Sequence, residues 1–335
     1  MAEKIRWGVL GTANIAREEV IPAIKASHNG IVLAVGSRDA GRARAYADAL
    51  GIERAYGSYE ALLADPDIDA IYNPLPNDGH VPWSIAAAQA GKPTLVEKPI
   101  AMNAAQAEQL VKAFRDANVL LTEAFMYRYH PQHERVRKLL AEGTIGPLRL
   151  IDTAFTYSMP LAVTDNVRLK PDQGGGGLWD VGCYCVNLCR MMVGEEPDTV
   201  TGQLILGTQS GVDEMFVGTL HFPGGVVAHF DCGMRAEFRN FYTLVGPDGA
   251  VTADNAFRPP DNGSTTIRVQ RNRALAEPIV IPAVNQYQRM VEDFADAVQQ
   301  GRKMTYDPMD SVKNMRVLDA LLQAAREGRT IRLGA

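Results

Sequence analysis

The chain is poor in the residues that mark several large protein classes. Only four of its 335 residues are cysteine and six are histidine. Cys183, Cys185, Cys189 and Cys232 form no CxxC or CxxH pattern, and a disulfide scaffold is excluded at this size and spacing. Three cysteines beside one apolar helix read first as core, with zinc ligation the minor alternative. The histidines of "HPQH", His130 and His133, follow none of the usual metal-ligand spacings, so no metal is expected. Positive charge is also in short supply. The 34 Lys and Arg against 39 Asp and Glu leave a net charge of -5, which excludes a global attraction to nucleic acid or an anionic membrane while leaving room for a local basic pocket. No apolar run is long enough to span a bilayer. The opening "MAEKIRWGVLG" enters a strand pattern within a few residues, without the layout of a signal peptide. A cytoplasmic, reduced protein is the expectation.

What is present is ordinary soluble-protein composition, 46% hydrophobic and 22% charged, in a chain long enough for two domains. From Lys4 to about Glu123, short apolar runs alternate with amphipathic stretches. The strand candidates are "IRWGVL", "IVLAVGS", "DAIYNPL", "PTLVEKP" and "VLLTEAF", with helical segments such as "VPWSIAAAQAG" and "NAAQAEQLVKAFRDA" between them. Alternation of this kind implies a parallel sheet with right-handed crossovers. The first strand runs into Gly11-Thr12-Ala13-Asn14-Ile15-Ala16, a variant of the G-x-G-x-x-G/A turn that sets pyrophosphate at a helix N-terminus. Gly11 fits the tight turn and Ala16 the close helix–sheet packing, while Ala13 replaces the second glycine. A plain strand–turn–helix is the alternative.

Cofactor choice rests on the end of the second strand, where an NAD site normally carries an acid for the ribose hydroxyls. Here the chain has "GSRDAGR": Ser37 stands at the acidic position, followed by Arg38 and, one helical turn on, Arg42. A hydroxyl and two guanidinium groups suit a 2′-phosphate. Asp39 is the counter-indication unless it points away or begins the helix. NADP is therefore expected over NAD, although NAD stays open.

The stretch "GGGGLWDVGCYCVNLC", from Gly174, places four glycines before a helical pattern in which Asp180 and Tyr184 share a face at i,i+4 spacing. Taken alone, Asp180 as a cap and Tyr184 as core is the simpler reading. Further on, strand-like runs follow one another with Gly, Pro and Asp turns and no interleaved helix from Glu195 to about Ile281. Two helices then end the chain, the last announced by Asp307 as N-cap and Pro308 at the first helical position.

Five stretches, "GTANIA", "IYNPLPNDGH", "EKP", "EAFMYRYHP" and "GGGGLWDVGCYCVN", together make the chain resemble the glucose–fructose oxidoreductase / inositol dehydrogenase / rhizopine catabolism family. The resemblance runs to "NQYQRMVEDFADAVQQGRK" near the C-terminus. Tyrosine in Asp-x-x-x-Tyr, where inositol dehydrogenases carry histidine, and "MYRYHPQ" point to the branch of NADP-dependent D-xylose dehydrogenases and dimeric dihydrodiol dehydrogenases. The resemblance implies an α/β fold. Residues 1–125 would be a Rossmann dinucleotide-binding domain. Residues 126–335 would be an α+β domain for substrate binding and oligomerisation, with a large, mostly antiparallel open sheet. A homodimer or homotetramer through that sheet is expected.

Carried onto this sequence, the family's site implies Tyr184 as acid/base and Lys98 of "EKP" as its tuning cation and a substrate ligand. Asp180 would bind a substrate hydroxyl or orient the lysine, and Glu97 would face the cofactor. A phenol normally titrating near 10 needs such a positive neighbour to act near neutrality. The glycine run would let the chain pass close to substrate and nicotinamide, and Gly182 would keep the helix face low. Leu75, Pro76, Asn77 and His80 would line the cofactor near the nicotinamide ribose, with His80 as a helix-start residue the alternative. Arg128 would contact substrate or cofactor, or else an interface carboxylate. Phe155, Tyr157 and Trp179 would wall the sugar pocket, against ordinary core packing for each. Arg168 finds no place in the sequence.

The implied activity is oxidation of an aldose such as D-xylose or D-glucose at its anomeric carbon to a lactone. A sugar–sugar oxidoreductase with tightly held NADP is the second reading, a dihydrodiol dehydrogenase the third. Outside enzymology stands a sugar- or NADP-responsive regulator, which would need neither Lys98 nor Tyr184.

Overall fold

The computed structural model describes residues 4–260 and 262–334. They form two compact units: the described part of Met1–Met126 with Asn285–Val312, and Tyr127–Val284 with the described part of Lys313–Ala335.

In the first unit the strands are β1 (Ile5–Leu10), β2 (Gly30–Gly36), β3 (Arg54–Tyr56), β4 (Ala70–Asn73), β5 (Thr94–Val96) and β6 (Leu121–Glu123). They pair in parallel in the order β3-β2-β1-β4-β5-β6, the doubly wound arrangement in which ligands bind beyond the carboxyl ends of the strands. The near-continuous apolar runs of β1, β2 and β4 are what burial on both faces demands. The helices are α1 (Ile21–Ala26), α2 (Ala40–Leu50), α3 (Tyr59–Leu63), α4 (Asn77–Gln89) and α5 (Ala104–Asp116). Side-chain caps set several of their starts: Asp39 accepts from the Arg42 amide, Ser58 from Ala61 and Asn103 from Gln106. A late helix, Gln286–Gln300, packs on α1 and sets Phe294 5.1 Å from the ring of Trp7.

The second unit is built on helices α6 (Pro131–Ala141) and α7 (Cys183–Val193) and a ten-stranded sheet. Its strands are β7 (Leu150–Ser158), β8 (Thr199–Leu206), β9 (Asp213–His221), β10 (Val227–Gly233), β11 (Arg235–Gly246), β12 (Gly249–Ala253), β13 (Thr265–Arg271), β14 (Ala274–Leu275), β15 (Ile279–Ile281) and β16 (Ile331–Arg332). The β7–β10 pair is parallel and the others are antiparallel. Period-2 alternation sends Phe216, Leu220, Phe230, Tyr242 and Leu244 into the core. On the other face of β8 and β9, Ile205 and Val217 remain 67% and 51% exposed.

The late helix is α8, and the final helix, α9 (Pro308–Glu327), runs from the first unit into the second. Asp307 caps it, accepting from the Met309 amide at 2.9 Å. All four cysteines are buried thiols, and burial pushes the Cys185 and Cys189 thiols up, away from ionisation. No cluster of three or more metal-ligating side chains exists among the described residues. Nor is any described helix long and apolar enough to cross a membrane.

Three histidines, His80, His130 and His133, are enclosed by the fold. His133 lies between the Ala256 carbonyl at 2.9 Å and the Tyr242 hydroxyl at 3.2 Å, and burial lowers its pKa to about 3. His80, in α4, is lowered to about 4, again by burial. Above roughly pH 6.5 the His80 and His133 rings are neutral whether the chain is folded or unfolded. Below that pH only the unfolded chain takes up the protons, so stability falls with pH down to the folded pKa values. Between pH 7 and pH 5 the expected loss is about 2 kcal/mol per histidine. Urea titrations at the two pH values, repeated with His133→Gln, should show the pH difference shrinking by about half the two-histidine amount. An unchanged difference would mean that His133 is not held neutral.

Candidate active site

At the carboxyl end of β1, Gly11 adopts φ +80 and its amide donates to the Gly36 carbonyl at 2.7 Å. A Cβ there would meet the Leu75 side chain at 2.8 Å, so the turn is glycine for both conformation and space. Thr12 and Ala13 follow half-buried, Asn14 is exposed, and the helix begins at Asn14 and Ile15. The Ala13 carbonyl accepts from the Tyr46 hydroxyl at 3.0 Å. Ala16–Val20 form a π turn before α1, a local widening that recurs at functional sites.

At the end of β2, Ser37 is buried and its hydroxyl accepts from the Asp39 amide at 3.3 Å. Asp39 in turn caps α2 through the Arg42 amide at 2.7 Å. The one acid in the segment is thus occupied at a helix start, and the exposed Arg38 and Arg42 are the charges that remain beside Ser37. The Arg38 guanidinium also acts on the Tyr59 hydroxyl, opposing the rise that burial imposes on that phenol. The Tyr59 hydroxyl lies 3.7 Å from the position of a Cβ on Gly11. No motif marks Tyr59, which starts a five-residue helix well beyond both arginines in the chain.

Beyond β4 and β5 the picture departs from expectation at two residues. His80 is 1% exposed, with Nδ1 2.8 Å from the Pro99 carbonyl and Nε2 2.8 Å from the Leu75 carbonyl. Two carbonyls favour the charged ring, but burial outweighs them. His80 therefore ties the turn after β4 to the "EKP" segment and offers no polar ring atom to a ligand. Glu97, expected to face a cofactor, is buried and accepts from the Tyr72 hydroxyl at 2.7 Å and the Lys98 amide at 3.3 Å. Lys98 is half-buried, and the Lys98–Pro99 peptide is cis. Pro76 and Asn77, both half-buried, begin α4.

In the second unit the residues of interest gather at the start of α7. Leu178–Gly182 form a second π turn that leads directly into α7. The regular helical face predicted for Asp180 and Tyr184 is therefore wider than 3.6 residues per turn would give. Asp180 Oδ2 accepts from the Tyr157 hydroxyl at 2.7 Å and from Arg168 Nε at 2.8 Å. Burial first, then the Asp180 charge, pushes the Tyr157 phenol up, so Tyr157 stays protonated and donates. The same carboxylate raises Arg168 further above its already high range. Arg168, which the sequence could not place, sits in the loop after β7 and makes the ion pair of the site.

Tyr184 is 4% exposed and lies among rings, with centroids 5.3 Å from Phe155, 5.5 Å from Phe257 and 5.8 Å from Tyr127. It is also within electrostatic range of Arg168. Phe155 stacks on Phe257 at 5.1 Å and is itself core rather than an open wall. Trp179 is half-buried on the π turn, and Arg128 is half-buried on the short turn Met126–Tyr129.

The glycine run also requires correction. A Cβ on Gly175 would lie 2.6 Å from the Arg168 carbonyl oxygen, and one on Gly176 2.1 Å from Asp213 Oδ1. On Gly182 it would meet Cys232 Sγ at 2.6 Å. Packing of the chain against itself is enough to require glycine at these positions.

Comparison with known proteins follows the same division. Residues 5–125 match the oxidoreductase family with an NAD-binding Rossmann fold, and residues 133–252 match the GFO/IDH/MocA C-terminal domain. The chain is 37% identical to D-xylose 1-dehydrogenase (NADP(+)) 2 of Haloferax volcanii, over 98% of this chain and 99% of that one. Among solved structures, a 3-ketoreductase from Actinomadura kijaniata, in complex with NADP and TDP-benzene, superposes with a TM-score of 0.91 at 33% identity. That match covers 96% of this chain and 98% of the other. The aldose-aldose oxidoreductase of Caulobacter crescentus, complexed with glycerol, gives a TM-score of 0.90 at 27% identity, over 99% and 100% of the two chains. With its β3-β2-β1-β4-β5-β6 sheet, its Gly11 turn and relatives that match it end to end, this chain belongs to the GFO/IDH/MocA family of oxidoreductases.

Proposed function

We propose that the chain is an NADP-dependent dehydrogenase that oxidises the anomeric carbinol of an aldose, of the D-xylose or D-glucose type, to a lactone. The observation that carries this reading is Tyr184: a phenol set among aromatic rings, one helical turn beyond the Asp180–Arg168 pair. The end-to-end likeness to a D-xylose dehydrogenase favours an aldose as its substrate.

The first unit fits the cofactor on its own chemistry. Gly11 and the helix start at Asn14 suit a pyrophosphate. Ser37, Arg38 and Arg42 suit a 2′-phosphate, since Asp39 is engaged as a cap and presents no competing acid to the ribose. Thr12, Ala13, Ile15, Leu75, Pro76 and Asn77 would line the nucleotide, with Glu97 and His80 holding the "EKP" segment from behind. When bound, NADP supplies the hydride acceptor.

The protein's own task is the proton and the orientation. Tyr184 takes the proton from the carbinol hydroxyl, and Lys98 supplies the positive charge that favours the phenolate and binds the substrate oxygen. Asp180, held by Tyr157 and Arg168, orients a neighbouring hydroxyl. Phe155 backs Tyr184, and Arg128 is assigned to the same substrate side. Association into a homodimer or homotetramer through the open face of the second sheet is also proposed, supported by the exposed Ile205 and Val217 on that face.

Purified protein with NADP and a small aldose panel led by D-xylose should form NADPH, with NAD much poorer. Tyr184→Phe should lower kcat by about 10²–10⁴-fold while leaving the NADP Kd unchanged; an undiminished kcat would remove Tyr184 from the chemistry. No net NADPH from protein that already carries nucleotide would favour sugar–sugar transfer, the activity of the Caulobacter relative. Arg38→Ala should reduce the preference for NADP over NAD by roughly 10–100-fold, the worth of one charge-assisted hydrogen bond. A preference unchanged in this variant would place the 2′-phosphate elsewhere.

A further inference from the structure

Asp213 opens β9 and is 5% exposed. Its Oδ2 accepts from the Leu178 amide at 2.6 Å, at the first residue of the π turn that carries Asp180 and leads to Tyr184. The Gly177 amide also favours its charged form. Its other oxygen occupies the space where a Cβ of Gly176 would stand, 2.1 Å away, and Gly176 has φ +124. Gly177 lies so close to Gly233 that its Cβ would be 2.9 Å from the Gly233 Cα. The start of the helix is thereby pressed onto β9 and β10, with the carboxylate inserted where side chains are missing.

We propose that Asp213 is a positioning residue for the Asp180–Tyr184 segment: its carboxylate, seated in the Gly174–Gly177 run, fixes the helix start from which both side chains project. This rests on the dehydrogenase reading for its catalytic consequence, though not for the pin itself. No substrate atom is assigned to Asp213, which acts through the backbone of Leu178.

The surroundings make the pin sensitive to pH. Burial pushes the Asp213 carboxyl up to about 7, against the Leu178 and Gly177 amides and the Arg326 guanidinium, which favour the charge. The Cys232 thiol of β10 also faces it, and burial keeps that thiol protonated. The adjacent Glu214 is occupied by Arg235, which donates to it at 2.8 and 2.9 Å. A carboxylate accepts amide hydrogen bonds more strongly than a carboxylic acid, so the pin is strongest above about pH 7 and weakens as pH falls through that value.

The test is amide hydrogen exchange over residues 176–182 between pH 6 and pH 8, corrected for intrinsic exchange. Wild-type protein should gain about tenfold protection across the interval, and Asp213→Asn should show none of this pH dependence. Asp213→Asn should also lower kcat about tenfold and flatten its acidic limb, with the NADP Kd unchanged. Gly176→Ala, which displaces the carboxylate without altering it, should lower protection and kcat in the same direction. Wild-type protection that does not vary with pH, or a kcat and pH profile in Asp213→Asn equal to wild type, would overturn the proposal. If the wild type oxidises no sugar, the dehydrogenase reading fails, while the exchange data still decide whether Asp213 pins the segment.

Discussion

The hydrogen bond from the Leu178 amide to the buried carboxylate of Asp213 joins the sheet of the second unit to the helix that carries its functional side chains. A helix start leaves backbone amides without intrahelical partners, and here a buried acid from β9 supplies the acceptor. The carboxylate fits only because the incoming chain is glycine at Gly176, and Gly177 lets that chain lie against Gly233. Once that start is fixed, Asp180 meets Tyr157 and Arg168, and Tyr184 meets Phe155, Phe257 and Tyr127. Polar positioning on one side of the turn and aromatic packing on the other thus share a single anchor.

The first unit solves a different problem by similar means. Ends of parallel strands crowd several turns together, and each needs its backbone groups satisfied. Ser37 and Asp39 satisfy the turn into α2. His80 contacts two carbonyls that belong to separate turns, and Glu97 is bonded by Tyr72 and by the amide of the next residue. Polar side chains that look like ligands in the sequence are, in these two cases, the framework behind Lys98. Exposed beside Ser37 are the guanidinium groups of Arg38 and Arg42.

Much of this was legible in the sequence because it is local. Strands β1, β2, β4, β5 and β6 are apolar runs bounded by turn residues, and Asp307 before Pro308 announces α9. By contrast, β3 has three half-buried residues and no alternation to reveal it. The two π turns follow no periodicity that a helical template detects. Arg168 pairs with Asp180 across a loop, and Asp213 reaches Leu178 across 35 residues. Such pairings depend on sheet topology, which no spacing encodes. The glycine run stands out in the sequence, but its cause, close packing against Arg168 and Asp213, lies in residues brought to it by the fold.

In the proposed reaction, hydride passes directly from the anomeric carbon while Tyr184 takes the hydroxyl proton. This transfer is tested most directly by oxidising D-xylose deuterated at C1 in the presence of NADP and following the label by mass spectrometry. Deuterium is expected in the reduced nicotinamide, one atom for each lactone formed. Label retained on an oxidised sugar, or released to water, would contradict direct transfer.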